Sequence, residues 1–479
     1  MKEKEIPMNF HFPSDTISAE IISVGTELLL GDIVNTDTAY LARELAALGI
    51  PCYYQSVVGD NPARLTSVLS LALSRSNLIL LTGGLGPTCD DLTKETAAAL
   101  MGKTLSLHMH SYERIRAVLS KRGLTETDNQ KKQAMLPPDA VVFDNDYGTA
   151  PAFAMEDAAH GKLMILMPGP PRELEPLFAE RVRPYLARIT ADDNSGRGSV
   201  IYSLNIGLYG IGEAAVEALL RDKMESGQNP TIAPYCNEGE VRLRITARGD
   251  TEEHCHALCL SAAEEIRSVS CAPYRPGVLD DYIYGIGCNS LEEALVTVLR
   301  EKKLHISCAE SCTGGYIAKR ITNIPGASEV LDGAFVTYAE KTKMAFAAVK
   351  PETLAECSVY SSEVAAEMAQ GCLSAVGADI GIGVTGIAGV DGDTRIYHGK
   401  EEVLNAGTVF LASASTKWAD AGSDGSAVSD GSADAGSHCE TVCLELAPGK
   451  RSPMEAREYI RHRASSHALW MALQTARRM

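Results

Sequence analysis

The chain reads Ser-Cys-Ala-Glu-Ser-Cys-Thr-Gly-Gly-Tyr over residues 307–316, and this stretch decides how its last third folds. The apolar run Leu304-His305-Ile306 comes before it and predicts a short buried strand, whereas Tyr316 to Ile321 has the apolar spacing of a helix. When a strand ends on Ser, Thr and Gly and a helix begins there, several backbone N–H groups point at one place, where the helix dipole favours negative charge. The sequence therefore predicts a turn that can bind a phosphate or an oxyanion.

Ser311 lies in the middle of this turn, and two interpretations of it stay open. With a base nearby in the fold, its hydroxyl would be a nucleophile and the backbone N–H groups would hold the oxyanion. Alternatively, Ser311 and Thr313 would only cap the helix, as Ser and Thr commonly do at helix N-termini.

Length and composition indicate a globular protein with several cores. The chain has 479 residues, which suggests roughly three domains. Its hydrophobic fraction of 45% and charged fraction of 22% are ordinary for a protein that folds by burying apolar surface. The net charge of −18 argues against nucleic acid as the main partner, because non-specific binding of phosphates needs a basic face.

The apolar runs and the cysteines bear on where the protein works. The N-terminal residues lack the apolar segment of a signal peptide, and no run approaches the ~20 apolar residues that span a bilayer. We therefore expect a cytoplasmic protein without a membrane partner. The 13 cysteines are scattered without a CxxC pair, which favours reduced thiols. A zinc site at His254-Cys255-His256 would lack a second ligand cluster at the usual spacing.

Strands and helices alternate through the first third of the chain. This alternation predicts a parallel sheet with helices on both faces, and ligands of such sheets bind at the carboxyl ends of the strands. The predicted strands are Ala19 to Val24, Cys52 to Val57 and Leu78 to Leu81, and the predicted helices are Asn35 to Leu48 and Pro62 to Ser74.

Two Gly-rich turns fall at the ends of predicted strands, Gly25-Thr26-Glu27 and Thr82 to Thr88, and Asp90 and Asp91 follow the second. Glycines let the backbone approach a phosphate, and paired carboxylates can hold a hydrated divalent cation beside it. The alternative is a tight turn before an acidic helix start. The turn-rich segments 145–151 and 167–173 are predicted to line the same cleft.

The remaining regions are assigned from their composition and from the spacing of their apolar residues. Residues 174–271 predict a small α+β unit without a cluster of titratable groups, and Tyr274 to Gly287 predicts a link to the last domain. Ala412 to His438 is dominated by Ala, Ser, Gly and Asp, so we expect a mobile loop there. Pro453 to Arg478 predicts a closing helix.

Several of these motifs together resemble the CinA family. In the last domain they are Ala309 to Gly315, Phe335 to Tyr338 with Lys343 beyond it, and Thr385 to Gly389; in the first they are Gly25 to Leu29 with Gly31, Thr82 to Thr93 and Met167 to Glu173. The resemblance implies an α/β protein. Its parts would be a three-layer molybdopterin-binding-like domain with a parallel-rich sheet over 19–173, a small α+β linking domain over 174–287, and an α/β amidohydrolase domain over 288–479.

The family's last domain is a nicotinamide-mononucleotide amidohydrolase, which releases nicotinate mononucleotide and ammonia and needs no cofactor. The resemblance implies that Ser311 attacks the amide, Lys343 is the base and Tyr338 orients or relays the proton. Lys343 would have to be neutral, which requires a lowered pKa. Backbone N–H groups near Thr313 to Gly315 or Gly386 would hold the oxyanion, and Arg461 would meet the substrate phosphate. The implied substrate-binding residues are Thr313, Gly314, Gly315, Thr385, Gly386, Gly389 and Arg461.

Some members of the family carry an ADP-ribose pyrophosphatase activity in the first domain. The resemblance implies a nucleotide site formed by Gly25, Thr26, Glu27, Thr82, Gly83, Gly84, Gly86 and Thr88, with a divalent metal at Asp90 and Asp91. Nucleotides would be the partners, and we expect a homo-oligomer, most simply a dimer. The alternative is a non-enzymatic protein that binds a nucleotide or a molybdopterin.

One segment departs from the family pattern. The family usually has Pro-Asp-Gly-Gly after Gly-Ile-Ala-Gly, whereas this chain continues with Val390-Asp391-Gly392-Asp393 and an atypical run from Thr394 to Asn405. We expect this departure to change the rim of the amide site.

Overall fold

The computed structural model describes residues 12, 17–121, 123, 128–190, 200–237, 239–416 and 438–479. Its backbone falls into two compact units: one holds the described residues up to Tyr202 with Ala247–Ala257, and the other holds Ser203–Thr246 with Leu258–Met479. The three domain ranges expected from the sequence therefore stay a prediction.

The first unit is built around a six-stranded sheet. The strands of this unit, in the order of the chain, are β1 (Ala19–Val24), β2 (Cys52–Val58), β3 (Leu78–Thr82), β4 (Ser106–Leu107), β5 (Met135–Leu136), β6 (Val141–Phe143), β7 (Ala152–Asp157) and β8 (Lys162–Met167). Its helices are α1 (Thr26–Leu30), α2 (Thr36–Ala47), α3 (Pro62–Arg75), α4 (Thr93–Leu100), α5 (Met109–Lys121), α6 (Asp128–Gln133), α7 (Pro171–Leu177) and α8 (Arg183–Thr190). The sheet order is β2-β1-β3-β8-β7-β6, and β4 pairs with β5 apart from it.

The first four strands of this sheet run parallel, and β7 and β6 are antiparallel additions. Neighbouring residues of β1 belong to different cores, because side chains alternate along a strand. Ile21 packs in one core with Leu41 of α2, and Ile22 packs in another with Leu69 of α3. Helices therefore cover both faces, as a parallel sheet requires, and the three-layer arrangement expected from the sequence is confirmed.

A second sheet follows in the chain. Its strands are β9 (Val200–Tyr209), β10 (Thr231–Asn237), β11 (Glu240–Gly249) and β12 (Ile283–Ile286), in the order β10-β11-β9-β12, with helices α9 (Glu213–Ser226) and α10 (Glu252–Arg267). The prediction of a plain link over Tyr274 to Gly287 was wrong in one respect, because β12 pairs antiparallel with β9. The strand is only the four residues Ile-Tyr-Gly-Ile, which are too few to show a periodicity from which a strand could be predicted.

The last sheet carries the turn at Ser311. Its strands are β13 (Ile306–Glu310), β14 (Leu331–Val336), β15 (Ile380–Gly386), β18 (Thr408–Ser415) and β19 (His438–Glu445), in the order β14-β13-β15-β18-β19; β16 (Asp393–Tyr397) and β17 (Lys400–Leu404) form a separate hairpin. The helices are α11 (Leu291–Lys302), α12 (Tyr316–Thr322), α13 (Glu340–Ala347), α14 (Pro351–Cys357), α15 (Ser362–Val376) and α16 (Pro453–Arg478).

Helices also cover both faces of this last sheet. Ile382 of β15 shares a core with Ile460 of α16, whereas Ala309 of β13 shares a core with Met368 of α15. A Cβ atom on Gly383 would lie 2.0 Å from the Ala365 carbonyl oxygen of α15, so a glycine is needed where helix and strand approach. Glycines in a strand commonly mark such a close backbone approach.

The predicted loop from Ala412 to His438 was too long at both ends. Thr408–Ser415 is a buried strand paired with β19, which begins at His438. The small residues Ala412 and Ala414 fit against α15 in a tightly packed core, although their composition alone resembles a loop. Residues 417–437, which hold most of the predicted loop, lie outside the described residues.

No helix that the described residues form is long and apolar enough to cross a membrane.

Candidate active site

The side chains of Ser311 and Lys343 meet where β13 ends. Ser311 follows the last residue of this strand, and its N–H group donates a hydrogen bond to the Val384 carbonyl of β15 at 2.9 Å. Lys343 lies on α13 with its side chain fully buried, and its Nζ atom is 2.8 Å from Ser311 Oγ. Two residues 32 positions apart in the chain, which the sequence assigned to the same reaction, are therefore in contact.

The partners of Lys343 suit a neutral amine. Its Nζ atom lies 2.7 Å from the Thr337 carbonyl oxygen and 3.3 Å from the Tyr338 carbonyl oxygen, besides its contact with Ser311. A neutral amine has two hydrogens and one lone pair. When the two hydrogens go to the two carbonyls, the lone pair is left for the Ser311 hydroxyl proton.

Burial favours that neutral form. Desolvation lowers the pKa of Lys343 to about 8, and the charges of Cys312 and Glu340 oppose only part of the shift. Near neutral pH a useful fraction of the amine can therefore take a proton from Ser311.

A buried carboxylate, Glu310, holds the turn after Ser311 in place. Its oxygens accept hydrogen bonds from the N–H groups of Gly315 at 3.0 Å, Ile317 at 3.1 Å and Ala318 at 2.9 Å. The first turn of α12 thus has its donors satisfied by a charge that also complements the helix dipole. No role was predicted for Glu310 from the sequence, although its position directly before the Ser/Gly turn was the available signal.

This cap changes the prediction for the oxyanion. The Gly315 N–H group is taken by Glu310, and the Gly314 N–H group donates to the Ser311 carbonyl at 3.1 Å. Within the described part of the chain, the N–H groups of Cys312 and Thr313 donate to no carbonyl or carboxylate oxygen. These two groups, next to the nucleophile, are the better candidates to hold an oxyanion.

Two buried threonine hydroxyls lie in the segments that meet here. The Oγ1 atoms of Thr313 and Thr337 find no hydrogen-bond partner among the described residues. Buried polar groups in native proteins rarely stay unpaired, so such atoms indicate a place that a ligand or water completes.

Arg461 reaches the same turn from α16. Its Nε atom donates to the Thr313 carbonyl at 2.9 Å, and its Nη2 atom lies 3.7 Å from the place where a Cβ atom of Gly314 would be. Gly314 and Gly315 have φ angles of 60° and 91°, which favour glycine. The structure thus brings Arg461 to the Gly turn, and its predicted contact with a substrate phosphate stays a prediction.

Three other predicted binding residues have contacts of their own. The Thr385 hydroxyl donates to the Val359 carbonyl at 2.8 Å, and a Cβ atom on Gly386 would lie 2.6 Å from the Thr408 carbonyl oxygen. Both residues therefore have structural roles in β15. Gly389 follows in the loop after that strand, and the part of all three in substrate binding stays a prediction.

Tyr338 contacts Lys343 through its backbone rather than its hydroxyl. The side chain is 63% exposed, and its hydroxyl lies 3.4 Å from Arg457 Nη2. The strand β14 ends at Val336, so the Tyr338 side chain leaves the sheet and turns outward. We therefore withdraw the proton-relay role of its hydroxyl and keep the carbonyl as a Lys343 partner.

The first unit contains a separate cavity of about 510 Å³ at the carboxyl ends of its parallel strands. Most of the predicted nucleotide-site residues line it, together with both predicted carboxylates: Gly25, Glu27, Thr82, Gly83, Gly84, Gly86, Asp90 and Asp91. The two turn-rich segments predicted for the same cleft also line it, through Thr149, Ala150 and Pro168 to Pro171.

The other two predicted residues support the turns from outside the cavity lining. The N–H group and the hydroxyl of Thr26 both donate to Asp60 at 2.9 Å, and the Thr88 N–H group donates to Asp91 at 2.8 Å. A separate hydrogen bond from the Thr88 side chain lowers the pKa of Asp90 below its ordinary value.

Asp37 is a further carboxylate of this cavity and was not predicted from the sequence. Desolvation raises the pKa of Asp37 to about 6, while a hydrogen bond from Thr82 acts in the opposite direction. Its Oδ1 atom is buried and has no hydrogen-bond partner within the described residues. Asp37 lies in the first turn of α2, where an acidic residue is common because it complements the helix dipole, so its position alone does not indicate a cavity residue.

Asp90 and Asp91 are better suited to hold a hydrated cation than a cation whose ligands all come from the protein. No third ligand of the described residues gathers with them within metal-binding distance. Two carboxylates beside a cavity of this size match the way Mg²⁺ is usually held, with waters and substrate phosphates as its other ligands.

Comparison with known proteins assigns the chain to a family. The family models that match are the CinA C-terminal domain over residues 288–423, the probable molybdopterin binding domain over 20–188, and the damage-inducible protein CinA KH domain over 203–274. The CinA-like protein of Dictyoglomus turgidum is 46% identical over 375 residues, which are 78% of this chain and 87% of that protein. The chain belongs to the CinA family.

Other members of the CinA family show the same relationship. The CinA-like protein of Kosmotoga olearia is 45% identical over 378 residues, 79% of this chain and 87% of that protein. A crystal structure of CinA from Thermoplasma acidophilum, described there as of unknown function, is 32% identical and covers 36% of this chain and 99% of that chain, with a TM-score of 0.33. The KH description of the middle region was not anticipated from the sequence.

The Glu310 cap can be tested by Glu310→Gln. The amide leaves one oxygen for three N–H donors and turns its own NH₂ group toward them, so we expect a loss of about 2–3 kcal/mol in stability. Thermal unfolding would measure it. The control is Glu329→Gln, which removes an exposed partner of Arg300 at 3.0 Å and should cost less than about 1 kcal/mol. Equal effects of the two substitutions would contradict a capping role for Glu310.

Proposed function

We propose that this CinA-family protein hydrolyses the carboxamide of nicotinamide mononucleotide to nicotinate mononucleotide and ammonia. The observation that carries the proposal is the buried contact of 2.8 Å between Lys343 Nζ and Ser311 Oγ. A protein that only binds nucleotides has no use for a buried, desolvated lysine beside a serine, which distinguishes the amidase from the non-enzymatic alternative.

The reaction would proceed through an ester on Ser311. The neutral amine of Lys343 takes the hydroxyl proton while Oγ attacks the amide carbon, and the N–H groups of Cys312 and Thr313 stabilise the oxyanion. Lys343 then gives its proton to the departing nitrogen, which leaves as ammonia. In the second half Lys343 takes a proton from water, the hydroxide adds to the ester, and Ser311 leaves with its proton restored.

Arg461 supplies the charge that a nucleotide monophosphate needs. Its Nε atom is fixed on the Thr313 carbonyl at 2.9 Å, and its guanidinium is partly exposed beside the Gly turn. A planar guanidinium held in this way suits the bidentate recognition of a phosphate.

Ser311→Ala should abolish ammonia release from nicotinamide mononucleotide, because no other hydroxyl contacts Lys343 among the described residues. An ammonia assay on the purified chain measures it, and the thermal midpoint shows that the fold is retained. Ser374→Ala, at an exposed serine of α15, should leave the rate unchanged. Full activity in Ser311→Ala would rule out the proposed nucleophile.

The rate should depend on pH through Lys343. The neutral amine is the active form, and burial lowers the pKa of Lys343 to about 8. We therefore expect kcat/KM to fall about tenfold per pH unit below that value and to level off above it. A pH profile of ammonia release measures this. The range from pH 6 to pH 9 extends from about two units below the lowered pKa of Lys343 to about one unit above it. A rate that does not change over this range would contradict Lys343 as the base.

The cavity of the first unit supports a second activity, the metal-dependent hydrolysis of ADP-ribose. Its Gly-rich turns suit a pyrophosphate, and Asp90 and Asp91 would hold the divalent cation that neutralises the phosphate charge when bound. The unpaired Oδ1 atom of Asp37 in the cavity wall gives a further acceptor for the substrate.

Asp90→Asn and Asp91→Asn should each reduce ADP-ribose hydrolysis at a fixed Mg²⁺ concentration by at least about tenfold, because each removes a charge that binds the cation. Release of AMP measures the rate, and ammonia release from nicotinamide mononucleotide should be unaffected. The control is Asp139→Asn, an exposed partner of Lys103. An unchanged AMP rate in both variants would exclude the two aspartates as the metal ligands.

A further inference from the structure

The segment that departs from the family pattern folds into the hairpin formed by β16 and β17. Asp393 to Tyr397 pair antiparallel with Lys400 to Leu404, and His398 and Gly399 form the tip. Their φ angles of 48° and 75° are both positive, as in a two-residue turn that matches the twist of the strands. His398 is therefore presented at the end of a defined structure.

The hairpin tip meets two other side chains that can bind a metal. Cys357 is the last residue of α14, Glu363 lies in the first turn of α15, and His398 is at the tip. The Cys357 sulfur is 4.0 Å from His398 Nε2, and one ligand atom of each residue lies within 4.8 Å of the other two. Within the described residues, no other group of three such side chains gathers in this way.

The carboxylate of Glu363 is oriented but incompletely satisfied. Its Oε1 atom accepts a hydrogen bond from the Tyr397 hydroxyl at 2.7 Å. Its Oε2 atom is buried and has no hydrogen-bond partner among the described residues. Burying a carboxylate oxygen without a hydrogen-bond donor costs free energy. A positively charged ligand at this oxygen would therefore stabilise the protein.

The charges around Cys357 favour such a ligand. The carboxylates of Glu363 and Glu356 act on the Cys357 thiol, and the charge of Arg395 opposes them. Glu367 also acts on the thiol, but it is paired with Lys350 at 3.6 Å. The cluster thus has an excess of negative charge, to which a divalent cation is complementary.

The donor set and its spacing select the metal. One thiol, one imidazole and one carboxylate are typical ligands of Zn²⁺, with bonds of about 2.0–2.3 Å. In a tetrahedral site such bonds separate the ligand atoms by about 3.3–3.8 Å. The Cys357–His398 separation of 4.0 Å needs to shrink by less than about 1 Å, and the other separations, which are at most 4.8 Å, by at most about 1.5 Å, which side-chain rotations can supply.

We propose that Cys357, Glu363 and His398 bind one Zn²⁺ ion, which fastens the β16–β17 hairpin to the segment 357–363. The thiol gives up its proton on binding, so each ion bound releases one proton. Water fills the fourth position. Tyr397 is a positioning residue, because it orients Glu363 through Oε1 and leaves Oε2 for the metal.

The segment that the ion would fix leads to the amide site. The Val359 carbonyl accepts the hydrogen bond of Thr385, and the Tyr360 carbonyl accepts one from Arg395 of the hairpin. Occupation by zinc therefore restrains the loop beside the end of β15. The proposal does not depend on the amidase activity, and metal binding can be measured without it.

The test is a titration of the full, metal-free chain with Co²⁺, which substitutes for Zn²⁺ and gives a near-ultraviolet charge-transfer band only when a thiolate binds it. We expect the band in the natural chain and its loss on addition of one equivalent of Zn²⁺. It should be absent in Cys357→Ser and His398→Asn. Tyr397→Phe should keep the band but weaken affinity by roughly 10-fold to 100-fold.

The matched control is Cys89→Ser, which removes an exposed thiol beside Asp90 in the first unit and should leave the band unchanged. If Cys357→Ser fails to fold, His398→Asn decides, because His398 is exposed at a hairpin tip. Absence of the band in the natural chain, or its persistence in both ligand variants, would overturn the proposal.

Discussion

The buried amine of Lys343 is the constraint on which the candidate amide site depends. An ionised ammonium group without compensating partners is costly in a protein interior, so the fold must either pair it or let it become neutral. Here three oxygens surround the amine, from Ser311, Thr337 and Tyr338, and none of them carries a formal charge at neutral pH. These oxygens therefore form hydrogen bonds with the amine without holding it in the charged form. The neutral amine can then accept a proton, as a general base must.

The rest of the last sheet keeps this contact in register. Ser311 is fixed at the end of β13 by a hydrogen bond to β15, and the Glu310 carboxylate holds the turn that follows. Glu310 supplies the negative charge at the start of α12. The N–H groups that it binds at this helix terminus are therefore not available to the substrate phosphate. Positive charge for the phosphate comes from α16 instead, through Arg461.

The sequence was sufficient for much of the fold because its periodic segments are long. The parallel strands of the first unit are apolar runs between amphipathic helices, and their boundaries were predicted within one or two residues. The strand β12 was missed because four residues are too few for a period, and β18 was cut short because alanine and serine in a tight core resemble a loop in composition.

The candidate site was predictable only where local pattern and family motif agreed. Ser311 and Lys343 were found from motifs, but the direction in which the Tyr338 side chain points depends on where β14 ends. Glu310 acts through backbone groups up to eight residues away, and its position directly before the Ser/Gly turn is the one local sign of such a cap. Cys357, Glu363 and His398 come together only through the packing of the hairpin, since 41 positions separate the cysteine from the histidine.

The most direct test of the Ser311–Lys343 chemistry is to look for the covalent intermediate. Nicotinamide mononucleotide would be mixed with the chain, the reaction quenched with acid at successive times, and the peptide containing Ser311 analysed by mass spectrometry. Nucleophilic catalysis by Ser311 predicts a peptide that carries the nicotinate mononucleotide acyl group as an ester during turnover. Two results together would contradict it. The Ser311 peptide would stay unmodified at every time although ammonia is released, and no hydroxamate would form when hydroxylamine is added.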